Sequence, residues 1–225
     1  MISSVDIRQQ ILAASLAVVP AARGCVYGVG LDLEPYDHLT NDGDTRWTRL
    51  YQERFRAIDP FHPRHFVDHR DSVYCTNRGG GSVDEQSAYV RGFRWRMGMA
   101  YKVEVFLRDR YSRIVGGIRL SRTQEMGEFQ HDELAALRAM QPVFSGAWRS
   151  APRDTRIGGS PALLTPREDD VLHCILEGMP DKLICRELGL ALPTVKCHVK
   201  SILRKTGASG RGEVIAIYLR AGRPR

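Results

Sequence analysis

The chain has 225 residues, a length that suits one or two domains with full cores. Hydrophobic residues make up 43% and charged residues 26%, the balance of an ordinary globular protein, and no run approaches the roughly 18 apolar residues of a helical membrane span. The formal net charge of +7 tilts the chain toward nucleic acid or another anionic surface. That charge is uneven. From Pro161 to the C-terminus there are 11 Lys and Arg against 7 Asp and Glu, and Arg149–Ser160 adds 3 Arg against 1 Asp, while the rest of the chain carries 19 against 18. The basic excess therefore sits in the last third.

The opening stretch "ILAASLAVVPAARG" has a faint signal-peptide look. Asp6 precedes it, Arg8 is the one basic residue there, and Ile7, Ile11 and Leu12 have amphipathic-helix spacing, so Asp6–Val19 reads as a structural helix. "GCVYGVGLDL" (Gly24–Leu33) reads as a strand. "DTRWTRLYQERFRAI" (Asp44–Ile58) reads as a helix with Trp47, Tyr51, Arg54 and Ile58 on one side. "SVDEQSAYVRGFRWRMG" opens on a capping box, Ser82 with Glu85, and predicts a helix to about Met97. "AYKVEVFL" and "RIVGGIRLS" alternate apolar and polar residues around a polar "RDRYS" turn, the signal of a hairpin. "GEFQHDELAALRAMQPVFSGAWR" predicts a long helix with Phe129, Leu134, Leu137, Val143 and Phe144 inward and a kink at Pro142. Antiparallel strands with helices at their flanks make an α+β domain over residues 1–148.

"RSAPRDTRIGGSPALL" carries two prolines, two glycines and three arginines without an apolar period, and residues 149–161 read as a linker. Residues 162–225 then read as all helix. "TPRE" (Thr165–Glu168) is a capping box with proline at the first helical position, and Val171, Leu172, Ile175 and Leu176 form the apolar face that Gly178 ends. "DKLICREL" closes at Gly189, "LPTVKCHVKSILRKT" closes at Gly207, and "RGEVIAIYLRAG" is the fourth helix. A short helix, a tight turn with glycine and a longer helix with a basic face is a helix-turn-helix pattern. At about 100° per residue, Lys196, Lys200 and Arg204 fall in one sector, and Val195, Val199, Ile202 and Leu203 in the next. One face can pack on the bundle while the other meets solvent or a polyanion.

The stretch from Leu164 to about Arg220 resembles the LuxR/NarL-type helix-turn-helix of bacterial transcription regulators. "LTPRE", "EG", "TVKCHV", "ILRKTG" and the R-x-E at Arg211 carry the resemblance together. It implies double-stranded DNA as the partner. It places Lys196, Cys197 and Lys200 at bases or nearby phosphates, and Thr194 and His198 at the backbone or bracing the helix. Arg204 extends the same basic face. The chain departs from the family at the N-cap of the third helix, where Ala191 stands for the usual Ser or Thr, at Leu183 and Cys185 in the second helix, and at Cys197. Cys197 lies between Lys196 and His198, so its thiol is either a small apolar contact or a redox switch on DNA binding.

The front domain has neither a P-loop nor a G-x-S-x-G elbow, and a receiver-domain start is absent from "GCVYGVGLDLEP". No enzyme activity and no cofactor are expected. "WTRLYQERFRAIDP" resembles the corresponding helix of LuxR-type acyl-homoserine-lactone receptors, with Trp47, Tyr51 and Asp59-Pro60 one residue short of their spacing and Tyr74 roughly at a second Trp. That resemblance implies a ligand site at Trp47, Tyr51, Asp59 and Tyr74, with Asp59 accepting from a ligand amide. Plain core packing is the other reading of Trp47 and Tyr51. The hairpin and long helix also look like the GAF/PAS-like sensors of other LuxR-type regulators. "DPFHPRHFVDHRD" gathers His62, His65 and His69 with acidic residues, but its prolines break the helix that would align them, and no metal is expected. "RGGGS" before a helix reads as a flexible lid rather than an anion site. Five cysteines, an odd number without a C-x-x-C, fit free thiols in a reducing cytoplasm.

The sequence thus predicts a cytoplasmic transcription regulator, sensing a small molecule (a lactone or other signal) in front and reading a two-fold DNA site behind. One recognition helix gives too little specificity alone, so a homodimer is expected, with Val214, Ile217 and Tyr218 as a candidate dimer surface. The alternatives are a ligand-independent orphan whose front domain serves dimerisation or a protein partner, and an enzymatic domain tethered to DNA.

Overall fold

The hairpin from Ala100 to Ser121 is the centre of the front unit in the computed structural model, which describes residues 4–30, 33–76, 87–109, 112–150 and 164–221. The chain divides into two units, Met1–Val29 with Leu33–Pro152 and a second that holds Arg153–Arg225. In the first, α1 (Ser4–Val18), β1 (Arg23–Val29), β2 (Pro35–Thr40), α2 (Thr45–Leu50), β3 (Val73–Cys75), β4 (Tyr101–Arg108), β5 (Ile114–Arg122) and α3 (His131–Ser150) follow in order. The strands form one antiparallel sheet in the order β2-β1-β5-β4-β3.

Because successive side chains on a strand alternate faces, the sheet has two different faces. One carries Val26, Val73, Val103, Val105, Ile118 and Leu120, covered by Ile11 and Leu12 of α1 and Leu134, Leu137 and Phe144 of α3. The other carries Cys25, Tyr27, Tyr74 and Phe106 packed on Phe61 and Phe66, and a second aromatic group, Tyr51, Tyr89, Val90 and Phe93, lies close by. The polar residues of the hairpin are on this second face and are buried: Lys102 is 2% exposed and Glu104 0%. The helices and loops that cover it turn the alternation from polar-out to polar-in.

Several expectations are revised. The Asp44–Ile58 helix is regular only to Leu50, with Asp44 Oδ1 accepting from the Arg46 N–H at 2.9 Å. It then continues as a π-helical turn over Tyr51–Phe55 and a 3₁₀ turn over Arg56–Ile58. The wider turn changes the angular step, so Tyr51 is buried while Arg54 and Ile58 face solvent. The predicted helix ending near Met97 is likewise a π-helical turn over Val90–Arg94 and a 3₁₀ turn over Trp95–Met97, closed by Gly98 at φ +70. Its capping box, Ser82 and Glu85, and the "RGGGS" stretch lie outside the described residues. On α3, Val143 is 58% exposed, because the inward stripe runs through Leu134, Leu137 and Phe144 instead. The first two residues assigned to the linker, Arg149 and Ser150, are the end of α3; most of the linker lies outside the described residues.

The second unit follows its predicted elements: α4 (Pro166–Leu176), α5 (Asp181–Leu188), α6 (Leu192–Thr206) and α7 (Arg211–Ala221). The capping box forms in both directions, with Thr165 Oγ1 accepting from the Glu168 N–H at 3.2 Å and Glu168 Oε2 accepting from the Thr165 N–H at 2.6 Å. Lys205 of α6 reaches the same carboxylate at 2.7 Å and so ties the end of α6 to the start of α4. Burial pushes the Glu168 carboxyl up, and Lys205 and the cap hydrogen bonds outweigh it, holding it at about 2. Val171, Leu172, Ile175, Ile184, Val195, Ile202 and Val214 fill the centre of the bundle. Among the described residues, no helix is long and apolar enough to cross a membrane.

Candidate nucleic-acid interface and sensor cavity

Helix α6 begins without a side-chain cap at Ala191, as the sequence implies, and ends at Gly207 in the left-handed region, φ +70. A missing Ser or Thr cap costs about 1 kcal/mol, and Pro193 in the first turn offsets part of it by presetting φ. The back of the helix is anchored: Val195 and Ile202 are fully buried, and Val199 and Leu203 pack half-buried beside them. Thr194, Lys196, Cys197, Lys200 and Arg204 are exposed and His198 is half-buried. Three cations thus stand in one sector of a helix held rigidly from behind, the geometry that a major groove requires. Arg211 braces the bundle, pairing with Asp181 of α5 and donating to the Met179 carbonyl.

The expected dimer residues on α7 separate. Val214 is 0% exposed, inside the four-helix core, so it is not an available dimer surface. Helix α7 needs that position to pack on α4. Ile217 is half-buried against the same core, and the side chain of Tyr218 lies outside the described residues.

In the front unit, the polar face of the sheet and the two π-helical turns line a partly open cavity of about 50 Å³, whose walls include His38, Trp47, Tyr51, Phe93, Lys102 and Arg119. Its floor is a buried quartet of two cations and two carboxylates. Lys102 Nζ lies 3.3 Å from Asp59 Oδ1 and 3.2 Å from Glu104 Oε2. Arg119 donates to Glu104 Oε2 at 2.9 Å and to Asp59 Oδ2 at 3.2 Å. The register explains the closeness, since Glu104 of β4 sits opposite Arg119 of β5. Tyr27 donates to Glu104 at 2.5 Å, Tyr51 donates to Asp59 at 3.0 Å, and the Phe61 N–H donates to Asp59 at 2.9 Å. Burial alone pushes the Asp59 carboxyl up; the Lys102 and Arg119 cations outweigh it and hold it at about 2. Burial pushes the Lys102 ammonium down, and Arg119 pushes the same way against the pull of Asp59 and Glu104.

Two of the four predicted ligand residues, Trp47 and Tyr51, line the cavity. Asp59 lies beneath it with both oxygens engaged by internal donors, and Tyr51 is one of those donors. Tyr74 lies elsewhere, its ring 4.3 Å from Phe66 and its hydroxyl donating to the Asp71 carbonyl. The histidine cluster is also dispersed: His62 is buried against Arg64 and Glu34, and Asp59 points into the quartet. Missed from sequence were Lys102, Arg119 and His38. Of these Arg119 had a signal, its charge opposite that of Glu104 at paired hairpin positions.

The first unit is an antiparallel sheet layered with helices, and the second, later in the chain, is a four-helix bundle with an exposed basic helix, the pattern of a helix-turn-helix DNA-binding domain. Residues 162–218 match the profile of bacterial regulatory proteins of the luxR family (GerE). Over 199 residues, 88% of this chain and 84% of the relative, the sequence is 28% identical to the monoamine regulon transcriptional regulator of Klebsiella aerogenes. The fold is similar to Escherichia coli SdiA, with TM-score 0.55 and 18% identity over 99% of this chain and 92% of that one. It is also similar to a GAF domain/HD domain protein of Geobacter sulfurreducens, with TM-score 0.50 and 14% identity over 66% of this chain and 91% of that one. The back unit is a LuxR-family helix-turn-helix domain, the front unit has a GAF-like fold, and the chain as a whole is similar to LuxR-type transcription regulators.

Proposed function

We propose that the chain is a signal-controlled regulator in which the front unit binds a small molecule and the back unit, paired with that of a second copy, reads a two-fold DNA site. The observation that carries the DNA half is the exposed Lys196, Lys200 and Arg204 sector on a helix whose other face packs on the bundle. Thr194, Cys197 and His198 complete the surface presented to the groove. Selection of duplexes from a random pool by the full chain tests this. The expected product is an inverted repeat with half-sites about one helical turn apart; a pool without symmetry argues against the paired reading.

The sensing half is supported by the cavity between the π-helical turns and the charged sheet face, since such turns concentrate at functional sites. The lactone version is weakened by Asp59, whose oxygens already accept from Lys102, Arg119, Tyr51 and Phe61. Acyl-homoserine lactones are expected to give no thermal stabilisation of the full chain. A ligand-independent orphan is the second reading, favoured by the cavity's small size: a cavity that binds benzene has about 150 Å³, three times the about 50 Å³ found here.

A further inference from the structure

We propose that the front-unit cavity is a site for a small neutral molecule with one flat apolar group and one hydroxyl, and that the hydroxyl hydrogen-bonds to the His38 imidazole. This rests on the reading of the front unit as a small-molecule sensor and gives that site its ligand chemistry.

His38 stands on β2 and lines the cavity. Both of its ring nitrogens are buried and have no hydrogen-bond partner among the described residues. Buried polar atoms in folded proteins are almost always paired, and an orphan is a costly feature that calls for a partner. The ring itself is held in place, stacked on Tyr27 at 5.4 Å and edge-on to Tyr51 at 6.0 Å. Burial, with Arg119 acting in the same direction, pushes the imidazole down to about 3, so the ring is neutral at physiological pH. A neutral imidazole offers one N–H and one acceptor nitrogen, and a hydroxyl is both donor and acceptor.

The charged and phenolic groups near His38 are engaged. Tyr51 donates to Asp59, and Tyr89 accepts from Lys102 at 3.3 Å. Lys102 and Arg119 are matched by Asp59 and Glu104. Arg94, a further cation of the lining, donates to the Ala100 carbonyl. A charged ligand would upset a balanced buried quartet, and an isolated buried charge is strongly disfavoured. A neutral ligand avoids that penalty. Trp47 and Phe93, in edge-to-face contact at 6.4 Å, with Met97 and Met99, supply an aromatic and sulfur wall suited to a flat ring. Both methionines are half-buried. A thioether chain has three rotatable bonds, so moving these two enlarges the cavity toward the size of a six-membered ring.

The test is titration calorimetry on the full chain with phenol, toluene, benzoate and benzylamine. Phenol is expected to bind about tenfold or more tightly than the other three, the discrimination one buried hydrogen bond gives. His38→Phe should bring phenol down to the level of toluene, and His38→Gln, which restores a donor and an acceptor, should recover most of the affinity. The His38 ring nitrogens, identified in ¹⁵N spectra by their loss in His38→Gln, should shift with phenol and not with toluene. Absence of phenol binding, equal binding of phenol and toluene, tighter binding of a charged probe, or phenol affinity unchanged in His38→Phe overturns the proposal. DNA binding measured on the same samples separates the outcomes: with it intact, such a failure removes the ligand assignment and leaves the regulator reading standing.

Discussion

The two faces of the front sheet are built from the same strands by opposite means. The face under α1 and α3 is apolar, with Val103, Val105, Ile118 and Leu120 at 0% exposure, and non-directional burial holds it together. The face beneath the π-helical turns buries Asp59, Lys102, Glu104 and Arg119 in one network, together with an orphaned imidazole. An apolar face tolerates small changes in shape, whereas a charged one depends on every partner being present. A fold that needed only stability would have repeated the first solution on both sides. The costly second face is where the cavity of the proposed sensor site lies.

The contrast can be broken by mutation. Lys102→Met leaves Asp59 and Glu104 sharing Arg119 alone, and chemical denaturation should show a loss of about 3–5 kcal/mol in front-unit stability. Acid should separate the faces next. The unfolded His38 imidazole takes a proton below about 6.5, while the folded one waits until about 3. Between those values the unfolded state binds the extra proton, so stability falls as pH drops, by at most about 1.4 kcal/mol per pH unit. His38→Phe should flatten that slope between pH 6 and pH 4, above the window of about 4 to 2 in which Asp59 loses its own contribution. His65, shifted down first by burial and then by its neighbours His62 and Arg64, remains as background in both proteins.

Smaller effects sharpen the same comparison. A Cβ at Gly117 would meet the Tyr27 ring at 2.4 Å, so Gly117→Ala should displace the ring that donates to Glu104 and supports His38, costing about 1–3 kcal/mol in melting experiments. On the apolar face, Ile118→Val should cost only about 0.5–1.5 kcal/mol and leave the pH profile unchanged.

The back unit was legible almost residue by residue because local rules govern it. Capping boxes, left-handed glycines and apolar spacing of 3.6 act within one helix, and Thr165, Gly189, Gly207 and Val195 obey them. Val214 was misread because a half-apolar helix does not say whether its stripe meets its own core or a partner. In the front unit the hairpin was legible, but alternation cannot tell solvent from a second buried layer, so the burial of Lys102 and Glu104 was not. The π-helical turn at Tyr51 is one residue wider than the period used to place Ile58. His38 left no signal, since β2 opens with Pro35, turns through Asp37 at φ +51 and is too polar to read as a strand.

The LuxR-type assignment itself is tested most directly by the salt dependence of DNA binding. For the full chain, log K should fall steeply with log salt, and Lys196→Ala with Lys200→Ala should weaken binding and make that slope shallower by about one for each phosphate contact removed. Unchanged affinity and slope in the doubly substituted chain, with its helical signal intact, would contradict the account.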